Sequence, residues 1–510
     1  MMALSAAQNS RTHQRLSSQR WSSLNFDQVN VLGDDASYGH TGCVNTLSWA
    51  RDGELLLSGG DDRTVQIWRM DPAVEHDYPF VCRSIIHTGH GANIFNAHML
   101  PYSSNIATVA GDGQVRVHEV GEIAHTGPPA TSQLDSRHTC IRRLRCHDNR
   151  IKRIVTEDSP HLFLTVSEDG TVRQHDLRTS HECDYSSCPP PLTKLNFELS
   201  TISLSPLTPF HYVVAGESEN GYLFDRRQAG RFLMEERGMV ENGMTHCVRR
   251  FGRPDGSFDP HSTREHITGA RISSQNGHEV LLSYSADAVY LYSTRDEPEE
   301  EDMASRSPPL SPNHGAAKPT SSKRPRDDSS SDEDEDMAMD NDDNASDDEG
   351  PDLFFRKPKV SAPDEYAGVP MILPRARFAG ARNVDTIKDV NFLGPDDQFV
   401  TSGSDDGNFF VWRKDGTLCG LFEGDGVVVN VIEGHPHLPL IATSGIDTTV
   451  KLFAPVSGPS TFSRMDAAER IIASNARQSK ISRKLRRHDL AALLAAVVSD
   501  ENTNVQCNHQ

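Results

Sequence analysis

Three residue types that hydrolases use as base, nucleophile and acid occur within one short stretch, as His40, Ser58 and Asp62, and Trp68 follows them. A buried imidazole and a buried carboxylate are also tolerated in a protein core when each satisfies the hydrogen bonds of its neighbours. Such a bond contributes about 1 kcal/mol net, whereas an unpaired partner costs about 1–3 kcal/mol. We interpret the set as structural because it belongs to a repeat, and we predict no catalytic residues and no enzymatic activity.

The repeat is clearest in the stretch 39–68, which reads GHTGCVNTLSWARDGELLLSGGDDRTVQIW. Three alternating apolar runs are separated by a DG turn and a DD turn, a pattern that predicts three antiparallel strands. A spacing of 28 residues recurs in three pairs, namely His40 and Trp68, His90 and His118, and His147 and His175. An aspartate stands six residues before the end of five copies, at Asp62, Asp112, Asp169, Asp406 and Asp447. Recurrence of this kind indicates a repeat architecture.

This pattern resembles the WD40 repeat family. The resemblance implies that His40, Ser58, Asp62 and Trp68 form a buried, hydrogen-bonded tetrad within one blade of a β-propeller. Seven copies are counted, over 40–72, 90–121, 147–180, 192–228, 245–294, 378–415 and 421–456. Residues 26–35 are expected to supply the missing outer strand of the last blade, which closes the ring and removes an exposed sheet edge. The predicted fold is all-β: a seven-bladed WD40 β-propeller with a disordered acidic insertion and a C-terminal helix.

The chain is predicted to divide into five segments. They are a disordered N-terminus (1–25), blades 1–5 with the closing strand (26–295), a disordered acidic insertion (296–365), blades 6 and 7 (366–460), and a basic helical tail with a disordered end (461–510). Between positions 296 and 349 the insertion holds 19 acidic and 5 basic residues, which accounts for −14 of the formal net charge of −21. Such a segment cannot bury enough apolar surface to offset its ordering entropy. The remainder is only mildly acidic, so a nucleic-acid partner, which favours a basic face, is not expected.

Two groups of basic residues lie outside the repeats, and each has two possible interpretations. Lys323, Arg324 and Arg326 form a short basic cluster that is typical of a nuclear-import signal or of a solvated charge run. We find no signal segment and no apolar run long enough to span a membrane, so we expect a protein of the nucleus and cytoplasm without a membrane partner. The basic tail predicts an amphipathic helix that lies against the propeller side or docks a partner or an anionic surface.

The histidines and cysteines of the sequence form no set with the spacing of a metal site. Nine cysteines contain no CxxC pair, and the group His181, Cys183 and Cys188 lacks a second pair of ligands. We therefore predict no metal site and no cofactor.

Blades 3 and 4 end in the same short motif. Asp176 and Arg178 close the stretch LFLTVSEDGTVRQHDLR, and Asp225 and Arg227 repeat the Asp-x-Arg spacing at the end of blade 4. These endings resemble the DWD box, which ends in Trp-Asp-x-Arg in the substrate receptors of cullin-4 ubiquitin ligases, although His175 stands where that box has Trp or Tyr. The stretches GHGANIFNAHMLP and CPPPLTKLNFELSTISLSP are similar to the branch with WD-and-tetratricopeptide and IQ-motif-containing members. We find neither of those additional motifs in this sequence.

The resemblance implies that Asp176, Arg178, Asp225 and Arg227 bind the adaptor propeller protein of the ligase. An arginine beyond a strand end presents a planar fork that an aspartate can hold, whereas an ordinary exposed ion pair contributes at most about 1 kcal/mol. The expected function is a protein-interaction scaffold that serves as substrate receptor of a cullin-4 type E3 complex in protein ubiquitination. Its partners are the adaptor, the cullin-4 complex and a protein substrate, with no small-molecule substrate. The alternative is a chromatin- or histone-binding scaffold, or another nuclear WD40 scaffold, unrelated to ubiquitin, because the acidic insertion suits basic ligands.

Overall fold

The structure is a computed structural model, and only part of the chain is described by it. The described residues are 21, 25–34, 38–71, 73, 77–121, 131–180, 183, 188–229, 245–254, 266–298, 366 and 368–485. The predicted acidic insertion, the import candidates Lys323, Arg324 and Arg326, residue His181 and both predicted disordered ends therefore lie outside the described residues, apart from short flanking stretches.

The described strands form seven antiparallel sheets arranged as the blades of a propeller. Within every blade the first three strands are consecutive in the chain and are hydrogen-bonded in that order, and a fourth strand pairs with the third. The innermost strand of each blade contacts that of the following blade, and Val429–Gly434 of blade 7 contacts Val44–Ala50 of blade 1. The ring is therefore closed, and the predicted seven-bladed β-propeller is confirmed.

The first four blades are built from the N-terminal half of the chain. Blade 1 consists of Val44–Ala50, Leu55–Gly60, Thr64–Met70 and Phe80–His87, and blade 2 of Ile94–Met99, Asn105–Ala110, Val115–Glu119 and Cys140–Leu144. Blade 3 consists of Ile151–Thr156, Leu162–Ser167, Thr171–Asp176 and Thr193–Lys194, and blade 4 of Leu199–Leu204, His211–Gly216, Gly221–Ala229 and Thr245–Phe251. Two short strands, Ser132–Asp135 and Met371–Ile372, add in parallel to the outer edges of blades 1 and 4.

The last three blades complete the ring. Blade 5 consists of Ile267–Ile272, Glu279–Tyr284, Val289–Ser293 and Ala376–Phe378, and blade 6 of Val390–Leu393, Phe399–Gly403, Asn408–Arg413 and Leu418–Glu423. Blade 7 consists of Val429–Gly434, Ile441–Gly445, Val450–Pro455 and the N-terminal strand Phe26–Leu32.

The N-terminal strand joins the two ends of the ring. Phe26–Leu32 runs antiparallel to Val450–Pro455, so the outer edge of the third strand of blade 7 is paired. Beside it, the Asn25 side chain donates to the carbonyl oxygen of Val456 at 2.7 Å, across 431 positions of sequence. The Asp27 carboxylate accepts the backbone N–H of Phe462 at 2.9 Å. Separation of these two segments would open the ring, so their pairing makes blade 7 part of one cooperative unit with blade 1.

The turn between the second and third strand of blade 3 shows why local sequence favours this geometry. Asp169 accepts the backbone N–H of Thr171 at 2.8 Å, which satisfies a turn donor. Gly170 has a φ of +80°, and a Cβ atom there would lie 2.3 Å from the carbonyl oxygen of Leu195. Glycine is required because a larger residue would meet both the backbone conformation and a neighbouring carbonyl.

Blades and sequence repeats differ in their boundaries. Thr245–Phe251 was expected to open blade 5, but it is the outer strand of blade 4. The outer strand of blade 5 is Ala376–Phe378, so the insertion interrupts blade 5 between its third and fourth strands and does not separate blades 5 and 6. The reason is that each repeat is marked from its histidine to the end of the third strand. The outer strand carries no marker residue, so those of blades 3 and 4, Thr193–Lys194 and Thr245–Phe251, were assigned to the following copy.

The hydrophobic core is divided into clusters that lie between neighbouring blades. Leu47, Leu56 and Trp68 of blade 1 pack with Val431 and Leu452 of blade 7 in one such cluster. Complete burial of a large aliphatic side chain contributes about 1.5–3 kcal/mol. Every blade therefore depends on its two neighbours for burial.

A helix follows the last blade over Ala468–Leu485 and packs against blade 6. Ala468 is buried beside Phe410 and Trp412, and the Asn475 side chain donates to Asp406 at 2.7 Å. The basic residues Arg470, Arg477 and Lys480 are exposed on this helix. Within the described part of the chain, no helix is both long enough and apolar enough to cross a membrane.

Candidate protein-interaction site on blades 3 and 4

The four residues His40, Ser58, Asp62 and Trp68 form one hydrogen-bonded chain inside blade 1. His40 Nδ1 lies 2.9 Å from Asp62 Oδ2 and His40 Nε2 lies 2.8 Å from Ser58 Oγ, which also accepts the indole N–H of Trp68 at 2.8 Å. Burial acts to raise the pKa of Asp62, but hydrogen bonds from His40 and from the backbone outweigh it and lower the pKa to about 2. Ser58 is fully buried, so its hydroxyl stabilises the blade and has no access to a substrate.

Blade 3 builds the same chain with a histidine in place of the tryptophan. His147 Nδ1 lies 2.8 Å from Asp169 Oδ2, and His147 Nε2 lies 2.8 Å from Thr165 Oγ1. His175 Nε2 lies 2.8 Å from the same hydroxyl, and its ring stacks on Phe163 with centroids 5.0 Å apart. His175 therefore takes the position that Trp68 has in blade 1. The residue that differs from the DWD box is therefore accommodated inside the blade, and Asp176 still ends the third strand.

Asp176 and Arg178 form a compact fork where the third strand of blade 3 ends. Asp176 accepts the backbone N–H of Arg178 at 3.0 Å, and it accepts Nε and Nη2 of the same guanidinium at 2.9 and 2.8 Å. These hydrogen bonds from Arg178 lower the pKa of Asp176 to about 2. The Arg178 side chain is 61% exposed. The fork thus holds a charged, planar group in one orientation at the protein surface.

Asp225 and Arg227 repeat this fork in blade 4. Asp225 accepts the backbone N–H of Arg227 at 3.0 Å, its Nε at 3.0 Å and its Nη2 at 2.7 Å. Burial acts to raise the pKa of Asp225, but the Arg227 hydrogen bonds outweigh it and lower the pKa. The guanidinium also lies over the Phe210 ring at 3.6 Å, a cation–π contact that restrains it further. Arg227 is 62% exposed, nearly the same as Arg178.

The two forks lie on one face of the propeller, on adjacent blades. Asp176 pairs with Leu162 and Asp225 pairs with His211, so both motifs stand beside the turn that opens the second strand of their blade. Arg226, which the sequence reading did not single out, connects the two blades. Its guanidinium donates to Gln174 at 2.5 Å and lies 3.0 Å from Glu157, both in or next to blade 3. The middle residue of the second motif therefore fixes the spacing between the forks.

Apolar side chains on the same face were also missed by the sequence reading. Tyr102 lies in the turn after the first strand of blade 2 and is 83% exposed, and Leu207 lies in the corresponding turn of blade 4 and is also exposed. Turns at these positions share one face because the blades have the same strand order. Exposed aromatic and arginine side chains on the same face are typical of a protein interface. The sequence offered no signal, since apolar residues in turns are often buried.

The central channel contains paired charges. It encloses a cavity of about 410 Å³ whose lining includes Arg153, Arg271, Asp389 and Glu433. Arg271 Nη2 lies 2.7 Å from Glu433, and Arg153 is paired with Asp389. The channel cations have their carboxylate partners inside the cavity, whereas Arg178 and Arg227 are held by theirs at the exposed surface of the protein.

Three cysteines meet beside blades 2 and 3. Cys183 and Cys188, which the sequence reading grouped with His181, lie with Cys146 so that all three sulfur atoms are within 4.8 Å of one another. Burial and the two neighbouring thiols raise the pKa of Cys146. Cys146 was not foreseen because 37 positions separate it from Cys183.

Comparison with known proteins supports the same architecture. The family described as "WD domain, G-beta repeat" matches residues 35–69, 138–176 and 378–413. The chain is 36% identical over 263 residues to WD repeat protein iqw1 of Schizosaccharomyces pombe, which covers 50% of this chain and 31% of that protein. It is 28% identical over 267 residues to the human DDB1- and CUL4-associated factor 6, which covers 51% of this chain and 28% of that protein. It is 30% identical over 286 residues to the mouse WD and tetratricopeptide repeats protein 1, which covers 52% of this chain and 39% of that protein.

The matched segments thus span well under half the length of these curated relatives. The residues that match the repeat family lie in blade 1, in the outer strand of blade 2 and blade 3, and in blades 5 and 6 of the closed ring. The chain contains WD40 repeats, and its described strands form a seven-bladed β-propeller.

Proposed function

We propose that this protein is a substrate receptor of a cullin-4 type ubiquitin ligase, and that it binds the adaptor of the ligase through the forks on blades 3 and 4. Arg178 and Arg227 are the adaptor-binding residues, and Asp176 and Asp225 position them. The protein itself is a scaffold, and catalysis of ubiquitin transfer belongs to its partners.

The observation that carries the proposal is the identical geometry of the two forks. An arginine has five N–H donors, and each aspartate occupies only Nε and Nη2 through the side chain. Donors on each guanidinium therefore remain available to carbonyl or carboxylate groups of a partner. Because the guanidinium is already held, binding costs little additional side-chain entropy. Two such groups on adjacent blades suit a partner that contacts both.

The relatives support the choice of partner. The name of human DDB1- and CUL4-associated factor 6 states an association with DDB1 and with a cullin, and its repeat region is similar to this chain. We extend this association to the present protein, with DDB1 as the adaptor.

The test is recovery of DDB1 with the tagged full chain after Arg178→Ala and Arg227→Ala are introduced together. Loss of an interface anchor costs at least about 2 kcal/mol, which is roughly 30-fold in Kd for one arginine, so the double variant is expected to recover little adaptor. The matched control is Arg375→Ala with Arg377→Ala in blade 5, since these arginines are also exposed and paired with aspartates. Unchanged adaptor recovery by a folded Arg178/Arg227 variant would refute the assignment.

Substrate recruitment is assigned to the propeller face opposite the forks, because the adaptor would cover the fork face. The Arg178/Arg227 double variant should then retain proteins captured through the opposite face while it loses the adaptor. Loss of both sets of proteins in a folded variant would contradict this division of the surface.

The alternative is a nuclear scaffold, such as a histone-binding propeller, that is unrelated to ubiquitin. It predicts salt-sensitive histone binding that is lost when residues 327–349 are deleted. Capture of histones without DDB1, independent of the two arginines, would favour this alternative over the ligase.

A further inference from the structure

We propose that Cys146, Cys183 and Cys188 form a zinc-binding site that fastens the outer side of blade 3 to blade 2. The site is separate from the forks, and it does not depend on the proposed function. It also revises the sequence-based expectation of a chain without metal.

The spacing of the sulfur atoms fits a tetrahedral metal site. Cys146 Sγ and Cys183 Sγ are 3.7 Å apart, and all three sulfur atoms lie within 4.8 Å of one another. A disulfide would require about 2.05 Å between two of them. A tetrahedron with Zn–S bonds of about 2.3 Å has edges of about 3.8 Å between its sulfur ligands. The thiols are therefore placed as ligands around a common centre.

The surroundings are suited to bound thiolates. The backbone N–H of Arg145 donates to Cys183 Sγ at 3.2 Å, the kind of contact that orients a metal ligand and offsets its negative charge. Three sulfur ligands favour Zn²⁺ over Mg²⁺ or Ca²⁺, which prefer oxygen. Cys146 is buried, whereas Cys183 and Cys188 are partly buried. The fourth corner of the tetrahedron is therefore accessible to water or to another side chain.

In this fold, a metal site at the three cysteines would stabilise the connection that leads to the outer strand of blade 3. Cys146 lies between the outer strand of blade 2 (Cys140–Leu144) and the inner strand of blade 3 (Ile151–Thr156). Cys183 and Cys188 lie in the connection from the third strand of blade 3 to its outer strand, which is only the two residues Thr193–Lys194. So short a strand provides few ladder hydrogen bonds to hold this connection. A metal ion would supply the missing attachment, and it would do so in the connection that begins just after the Asp176–Arg178 fork.

The first test is the metal content of the purified full chain, expressed with added zinc and isolated without chelators. About one zinc ion per chain is expected for the wild type. The variants Cys146→Ser, Cys183→Ser and Cys188→Ser should each lose most of it. Cys247→Ser and Cys419→Ser are matched controls that change thiols outside the cluster and should keep it. Equal zinc content in the cluster variants and the controls would overturn the proposal.

A second measurement does not depend on whether the variants fold. Wild-type protein stripped of metal and titrated with Co²⁺ should develop the thiolate-to-cobalt charge-transfer band and the intense visible bands of tetrahedral sulfur coordination. Zinc should remove these bands by displacing cobalt. Absence of thiolate bands, or a disulfide among the three cysteines in peptide maps of freshly isolated protein, would refute the site.

Discussion

Replacement of Asp62 with asparagine tests whether the blade 1 tetrad stabilises the propeller through its charge. The asparagine side chain would keep the shape of the original and an oxygen that can face His40, but it would lack the carboxylate that His40 and two backbone N–H groups stabilise. The pKa of Asp62 falls from 3.8 to about 2 in the folded protein. One pKa unit corresponds to about 1.36 kcal/mol, so the charge contributes roughly 2 kcal/mol at pH 7.

The sign of the pH dependence follows from the lowered pKa. A carboxylate whose folded-state pKa is depressed contributes its full stability above pH 3.8, and it loses this contribution as the pH falls through about 2. At pH 3 roughly 1 kcal/mol should remain. Asp62→Asn is therefore expected to lower the free energy of unfolding by roughly 2 kcal/mol at pH 7 and by about half as much at pH 3.

The assay is urea unfolding of both proteins at pH 7 and pH 3, followed by tryptophan fluorescence, because Trp68 belongs to the tetrad. Asp61→Asn is the matched control at the adjacent position. Burial raises the pKa of Asp61, so removal of this charge should leave the stability unchanged or increase it at pH 7. A difference between wild type and Asp62→Asn that stays constant or grows from pH 7 to pH 3 would refute the electrostatic account of the tetrad.

Three further outcomes are expected. His175→Ala should lower the free energy of unfolding by about 1–3 kcal/mol, because Thr165 loses a buried hydrogen-bond partner. His161→Ala, at an exposed position, is the control. Equal denaturation midpoints for the two variants would contradict the structural role of His175 in the blade 3 tetrad. Lys388→Met should cost about 3–5 kcal/mol, because it leaves the buried Asp405 without its cation; a thermal melt like that of wild type would argue against this pairing. Alanine in place of Lys323, Arg324 and Arg326 should move a fluorescently tagged chain from nucleus to cytoplasm, and an unchanged distribution would identify the cluster as a solvated charge run.

The proposed interaction site could be predicted only in part. Asp176, Arg178, Asp225 and Arg227 were recognisable because the motif is local: each aspartate holds an arginine two positions away. Arg226 as a bridge between blades, Phe210 under Arg227 and the exposed Tyr102 were not recognisable. Each of these depends on how blades stand beside one another, which a strand pattern does not encode.

The number and the kind of the blades could be predicted from the amino-acid sequence. A buried polar tetrad requires a histidine and an aspartate at a constant spacing within each copy, and three paired strands require alternating apolar runs and turn residues. These requirements are local, so a short stretch of sequence reveals them. The outer strands, the position of the insertion inside blade 5 and the proximity of Cys146 to Cys183 and Cys188 became visible only in the folded chain. The outer strands contribute no residue to the buried tetrad, and those of blades 5 and 7 pair with strands that are distant in sequence, so no local pattern marks them. The three cysteines come from two separate connections, and these lie side by side only because blades 2 and 3 are neighbours.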